Sequence, residues 1–145
     1  MKKPILKLVF LIFIVGFLIN LIWEFLHHYL YMCADWPFSQ LMPLMLRVSA
    51  GDGLIILFFY FIGYLLNNNY KWIFNMKQRD YYFLILLGFF IAAFIEILNV
   101  KYLGRWSYNK YMPIIPWFNI GVTPVLQMMI LPIIDFWIVK KILKK

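Results

Sequence analysis

The sequence predicts an all-α, polytopic integral membrane protein: a bundle of four transmembrane helices in a single domain covering 1–145. Three observations carry this. The chain is 65% hydrophobic and only 14% charged, too apolar for an ordinary soluble domain. Four apolar runs are each long enough for a hydrocarbon core, which takes about 20 helical residues. The cations gather at the ends of those runs instead of forming a basic stripe, so the net charge of +8 reads as membrane topology. No nucleic acid is expected as a partner, because no motif of such proteins is present.

The first helix is expected at about 8–31. Its basic start, Met1-Lys2-Lys3, resembles that of a signal peptide, but no small-x-small cleavage site closes the run, so it reads as a retained helix. The second is expected at about 43–66, with Pro43 in its first turn. The third follows at about 81–100. The fourth, about 118–140, starts among Pro113, Pro116, Gly121 and Pro124, with Thr123-Pro124 read as an N-cap followed by a first-turn proline.

Ten cations (Lys2, Lys3, Lys7, Lys71, Lys77, Arg79, Lys140, Lys141, Lys144, Lys145) fall on one side of these spans. Four (Arg47, Lys101, Arg105, Lys110) fall on the other. The positive-inside rule then puts both termini in the cytoplasm, with the bundle in the inner membrane. Tyr29, Tyr31, Trp36, Trp106, Tyr108 and Trp117 are expected in an outer aromatic belt, and Tyr70, Trp72, Tyr81, Tyr82 and Trp137 in an inner one.

Counting residues from the cytoplasmic ends puts Asn20, Asp52, Glu96 and Gln127 at a common depth of about 20 to 22 Å, one from each helix. Glu24, His27, His28, Arg47, Asn99 and Thr123 form a second layer further out. Asp135 is the one acid within a span toward the cytoplasmic end, where it reads as snorkelling or lysine-paired. Asn20, Glu24 and His27 or His28 lie on one stripe of the first helix, and Ala92, Ala93, Glu96 and Asn99 share a face of the third.

Two readings of this layer compete. In the structural one, Glu24, Asp52 and Glu96 pair with Arg47, Lys101 and Arg105 as packing glue near the headgroups. In the functional one, ionisable groups drawn from all four helices form a site. Glu96 is then the central acid-base residue, with Glu24 and Asp52 as its catalytic partners, one acid holding its proton while another acts as base. Asn20, His27, His28, Arg47, Asn99, Arg105, Trp106, Tyr108, Thr123 and Gln127 are the candidate ligand-binding residues.

No cofactor and no resident metal is expected. Glu24-x-x-His27 has the spacing of half a di-iron site, but Glu96-x-x-Asn99 is a poor second half and the chain has two histidines in all. Ligand type leaves open a single zinc on Glu24, one histidine and another acid. Cys33 is alone, so no intrachain disulfide forms. Phosphate-loop, dinucleotide and nucleophile-elbow motifs do not occur.

Trp23-Glu24, Ser49-Ala50-Gly51-Asp52, Gly104-Arg105-Trp106-Ser107-Tyr108, Met112-Pro113 and Gly121-Val122-Thr123-Pro124-Val125-Leu126-Gln127 together resemble a signature of small prokaryotic four-span membrane proteins. That resemblance implies the fold and no activity. The chain is more loosely similar to lycopene-cyclase-type and sterol-isomerase-like bundles, which place acids and a tryptophan among membrane helices, although it lacks a Pro-x-Glu-Glu motif. The analogy implies proton transfer on an isoprenoid or other lipid, with Trp106 and Tyr108 shielding a cationic intermediate. A transport or ion-coupling module and a structural accessory subunit are the alternatives. Membrane lipid, a hydrophobic small molecule, a second copy of the chain and another membrane protein are the partner classes that follow.

Overall fold

The computed structural model describes residues 3–144, and the chain is helical through most of them. Lys2 and Lys145, counted above for orientation, lie outside the described residues, as does the side chain of Lys3. Helix α1 spans Lys3–His27 and ends in a single 3-10 turn, His28–Leu30. Helix α2 spans Phe38–Asn67, α3 spans Gln78–Glu96 and α4 spans Val122–Leu143. All four are long and apolar enough to cross a membrane.

Helices α1 and α3 begin at Lys3 and Gln78, ahead of the expected 8 and 81, and three other boundaries differ for local reasons. Helix α2 begins five residues early, after Pro37, so Pro43 sits inside it. The carbonyl that Pro43 deprives of a donor belongs to Ser39, which is exposed and open to solvent. Helix α3 does not stop at 100 but widens immediately after Glu96 into a π-helix, Ile97–Tyr102. Leu103 N–H reaches back to the Leu98 carbonyl at 2.9 Å. Helix α4 starts at Val122 and is capped by the extended backbone of Gly121, not by Thr123. Its 22 residues measure about 33 Å, enough for a hydrocarbon core of about 30 Å.

The proline-rich stretch before α4 folds as a small hairpin, which hydropathy did not foresee. Strands β1 (Ile114–Ile115) and β2 (Ile120–Gly121) pair antiparallel. The turn between them is closed by Asn119 N–H on the Ile115 carbonyl at 2.8 Å, with Asn119 in the left-handed region at φ 52°. Asparagine tolerates that conformation better than most residues.

Helix α1 packs against α2 and α4, and α3 packs against α4, whereas α2 and α3 meet at few points. The ring of four helices therefore has one loosely closed flank. At the end bearing the termini the core is apolar and tight: Ile12, Ile56, Phe59, Leu84, Phe136 and Val139 are fully buried. Trp72, expected in an interfacial belt, is driven into this core instead. Its indole N–H donates to the Tyr60 carbonyl at 3.1 Å, and its ring meets Phe136 edge-on at 5.4 Å.

Close approach of α3 and α4 depends on Gly88. Any side chain there would strike the Met128 carbonyl, and that carbonyl has lost its helical donor to Pro132 four residues on. At the start of α3, Asp80 accepts the Lys77 N–H at 2.8 Å and the Asn67 amide at 3.2 Å. Its 3.4 Å contact with Arg79 is the only ion pair among the described residues. The outer surface of the bundle is apolar, with Leu26, Leu65, Phe90 and Phe94 all largely exposed.

A polar cavity at the hairpin end

Where the α1–α2 and α3–α4 connections meet, the bundle holds a cavity of about 400 Å³. The two connections are tied by main-chain bonds: Met32 N–H to the Ser107 carbonyl at 3.1 Å and Asn109 N–H to the Leu30 carbonyl at 3.0 Å. Glu24 and His28 line the cavity from α1 and its terminal turn. Leu44, Met45, Val48 and Asp52 line it from α2, Ala92, Ile95 and Glu96 from α3, and Pro124, Gln127 and Met128 from α4. Tyr31, Cys33, Trp36, Arg105 and Trp106 come from the connections.

Gln127 is the hub. Its amide nitrogen donates to Asn20 Oδ1 at 2.8 Å, Glu24 Oε1 at 3.0 Å and Asp52 Oδ2 at 3.1 Å. An amide has two N–H protons, so one of them is shared between two of these oxygens. Asn20 is held in register by donating its own amide to the Gly16 carbonyl one turn back, at 2.8 Å, which leaves its oxygen facing Gln127. The Glu24 and Asp52 oxygens consequently lie within about 6 Å of each other.

Glu96 lines the cavity from α3, nine-tenths buried. The Tyr108 hydroxyl and the Trp106 indole N–H, the latter at 3.4 Å, both donate to Glu96 Oε2. Burial, and then the bond to Glu96, push the Tyr108 phenol above its ordinary range. Tyr31, its ring tilted against that of Tyr108 at 5.5 Å, is pushed up by burial first and then by the charges of Glu96 and Glu24. Both phenols therefore keep their protons, and Tyr108 acts as a donor.

Other candidate residues sit differently. His27 is buried beside the cavity, its ring between Trp23 and Tyr31 and its Nδ1 on the Trp23 carbonyl at 2.8 Å. His28 lines the cavity, with Nδ1 on the Phe25 carbonyl at 3.0 Å. Asn99 is buried but caps its own helix, donating to the Ile95 carbonyl at 2.8 Å and accepting from Arg105 at 3.5 Å. Thr123 donates to the Met112 sulfur beneath the hairpin. Arg47 is exposed and does not line the cavity.

The structural reading of the layer required acid–cation pairs, and none forms. Arg47 and Lys101 are exposed, and Arg105 faces the Asn99 amide, so Glu24, Asp52 and Glu96 have no cation within ion-pair distance among the described residues. Nor do three His, Cys, Asp or Glu side chains among them come together closely enough to hold a metal ion.

Three polar groups are buried without a partner among the described residues: the Trp23 indole N–H, the Ser49 hydroxyl and the Asp135 carboxyl. Ser49, one turn before Asp52, is fully buried with no partner for its hydroxyl. Asp135, expected to snorkel or pair with lysine, is fully buried in the apolar core of the other end, over Gly16 of α1, and neither carboxylate oxygen has a partner. No protein-family model matches the chain, and no curated protein or solved structure shows significant similarity to it.

Proposed function

We propose that the chain is an integral protein of the inner membrane with both termini cytoplasmic, and that its cavity carries out proton transfer on an isoprenoid or other lipid. The membrane reading is supported by four spans with apolar outer faces and by the distribution of cations. The observation that carries the chemistry is a pair of separately held carboxyl stations lining one cavity. Glu24 and Asp52 share one amide donor, and Glu96 is fixed by Tyr108 and Trp106.

Such a pair suits an isomerisation. One carboxyl gives its proton to one carbon of an alkene, which leaves positive charge on the other alkene carbon; a second carboxylate then removes a proton from the carbon on the far side of that cation, and the double bond shifts by one position along the chain. The two stations exchange protonation states and reset through water at the cavity mouth. Positive charge developing on carbon between these steps faces the rings of Trp106, Trp36 and Tyr31.

Ion transport fits less well. Between Gln127 and Asp135, α4 buries Leu131 and Pro132 and offers no polar step toward the termini.

The test is hydrogen exchange into carbon. Membranes containing the wild-type protein or Glu96→Gln are incubated in deuterated water and their extracted lipids analysed by mass spectrometry. Proton transfer predicts a lipid that gains carbon-bound deuterium only with the wild type, while the Gln variant stays folded. Identical lipid spectra from the two membranes would reject it.

A further inference from the structure

We infer that the cavity takes an amphiphile with an organic ammonium head, seated among Glu24, Asp52 and Glu96, whose chain leaves between α2 and α3. This rests on the cavity being a lipid site: the head takes the place that the proposed isomerisation gives to positive charge on carbon, so this amphiphile is a competitor of the reacting lipid and not the substrate. The first argument is charge. Three carboxyl groups line one cavity; Arg105, which also lines it, is turned to the Asn99 amide, and no ion pair to any of the three acids forms among the described residues. Among those residues Gln127 is the one side-chain donor to Glu24 and Asp52, and two neutral donors hold Glu96.

The second argument is valence. Glu24 and Glu96 both line the cavity, and their hydrogen bonds engage Glu24 Oε1 and Glu96 Oε2 only, so each acid keeps a second oxygen free to accept. Carboxylate oxygens away from bulk water take donors or cations, and an occupant with a positive head supplies them. The acids are too dispersed for one bare metal ion, whereas an alkylammonium group spreads its charge over a larger volume. Trp36, Trp106 and Tyr31 line the same space, and ring faces attract quaternary ammonium.

The third argument is the exit. Apart from Asp52 and Glu96, the walls given by α2 and α3 are Leu44, Met45, Val48, Ala92 and Ile95, and these two helices scarcely touch. A hydrocarbon chain leaving the acids in that direction passes only apolar side chains and reaches the apolar outer face.

The experiment uses the full-length protein in neutral maltoside micelles, with three hexadecyl probes ending in trimethylammonium, hydroxyl or phosphate. Binding is read by native mass spectrometry and by the shift in thermal midpoint. The inference predicts saturable binding of one ammonium probe, at least tenfold tighter than the alcohol or the phosphate. That preference should disappear in Glu24→Gln and Asp52→Asn, both near-isosteric, and persist in Asp35→Asn, an exposed acid outside the cavity lining. Val48→Trp, which narrows the flank, should weaken all three probes alike. Alcohol binding as tight as ammonium overturns the charge assignment and leaves the lipid site standing. Failure of every probe to bind overturns both. Ammonium binding unchanged in the Gln and Asn variants overturns the seat, and unchanged binding to Val48→Trp overturns the exit.

Discussion

Gly88 of α3 lies directly against the main-chain carbonyl of Met128 in α4, the carbonyl that Pro132 leaves without a helical donor. A Cα–H directed at a free carbonyl is a weak hydrogen bond of the kind that recurs between close helices. The same contact brings Ala92 and Ala93, one turn on, against Val125 and Met128, and so sets the separation of Glu96 from Gln127. Gly88→Ala would place a methyl group inside the backbone of α4, and overpacking of this kind costs about 1–3 kcal/mol. The expected outcome is a lower thermal midpoint in detergent together with weaker ligand binding. An unchanged midpoint would show that the two helices can part at no cost.

Gln127 is predicted to be the least replaceable polar residue of the cavity. Gln127→Leu keeps the volume but strips the donor from Asn20, Glu24 and Asp52 together, and each buried group left unpaired costs about 1–3 kcal/mol. Gln127→Glu has the right shape but sets a third carboxyl against two others. Both variants should unfold at lower temperature than Asn20→Ala, which removes one acceptor of Gln127 and a donor to a Gly16 carbonyl that lies within α1, as read by thermal denaturation in micelles.

Asp135 is predicted to work against stability. An unpartnered buried polar group costs about 1–3 kcal/mol in folded proteins, and both of its oxygens lack partners. Asp135→Val should therefore raise the thermal midpoint, with the bundle otherwise unchanged. A fall in midpoint would mean that the carboxyl has a stabilising partner in the folded protein.

Cys33 reports on both topology and environment. Burial pushes its thiol above the ordinary range, and only the thiolate is nucleophilic. Its alkylation should be slower than that of free cysteine at neutral pH and should accelerate as pH rises through the raised value. With both termini cytoplasmic, an impermeant maleimide added outside intact cells modifies Cys33 and spares Asn68→Cys in a Cys33→Ser background. The opposite pattern would invert the orientation.

The four long apolar helices were legible because length and hydropathy are one-dimensional quantities, and so was the common level of Asn20, Asp52 and Gln127. Direction around the helix was not. Arg47 shares a level with Glu24, but it is five residues from Asp52, roughly 140° around α2, and it points outward. Asn99 follows Glu96 by three residues on an ideal helix, yet the π-turn between them changes its bearing and leaves it capping its own helix. Trp72 and Trp117 look alike in sequence as interfacial residues. One fills the core, and the other stands 89% exposed at the hairpin tip, a distinction made by tertiary packing alone. The orphaned Asp135 was hidden for a related reason, since the lysines that follow it lie along the helix and away from the buried face.

The sharing of one amide among Asn20, Glu24 and Asp52 also bears on how the protein is made. Synthesis delivers α1 and α2 first, with three acceptors already in place and their donor still to be translated, because Gln127 belongs to the last helix. Until α4 arrives, the first helical pair carries unmet polar groups in an otherwise apolar segment, which makes it a poor resident of lipid on its own. A chain truncated before Gln127 would carry the same defect throughout its lifetime, and cellular surveillance of membrane proteins could recognise it by that defect alone.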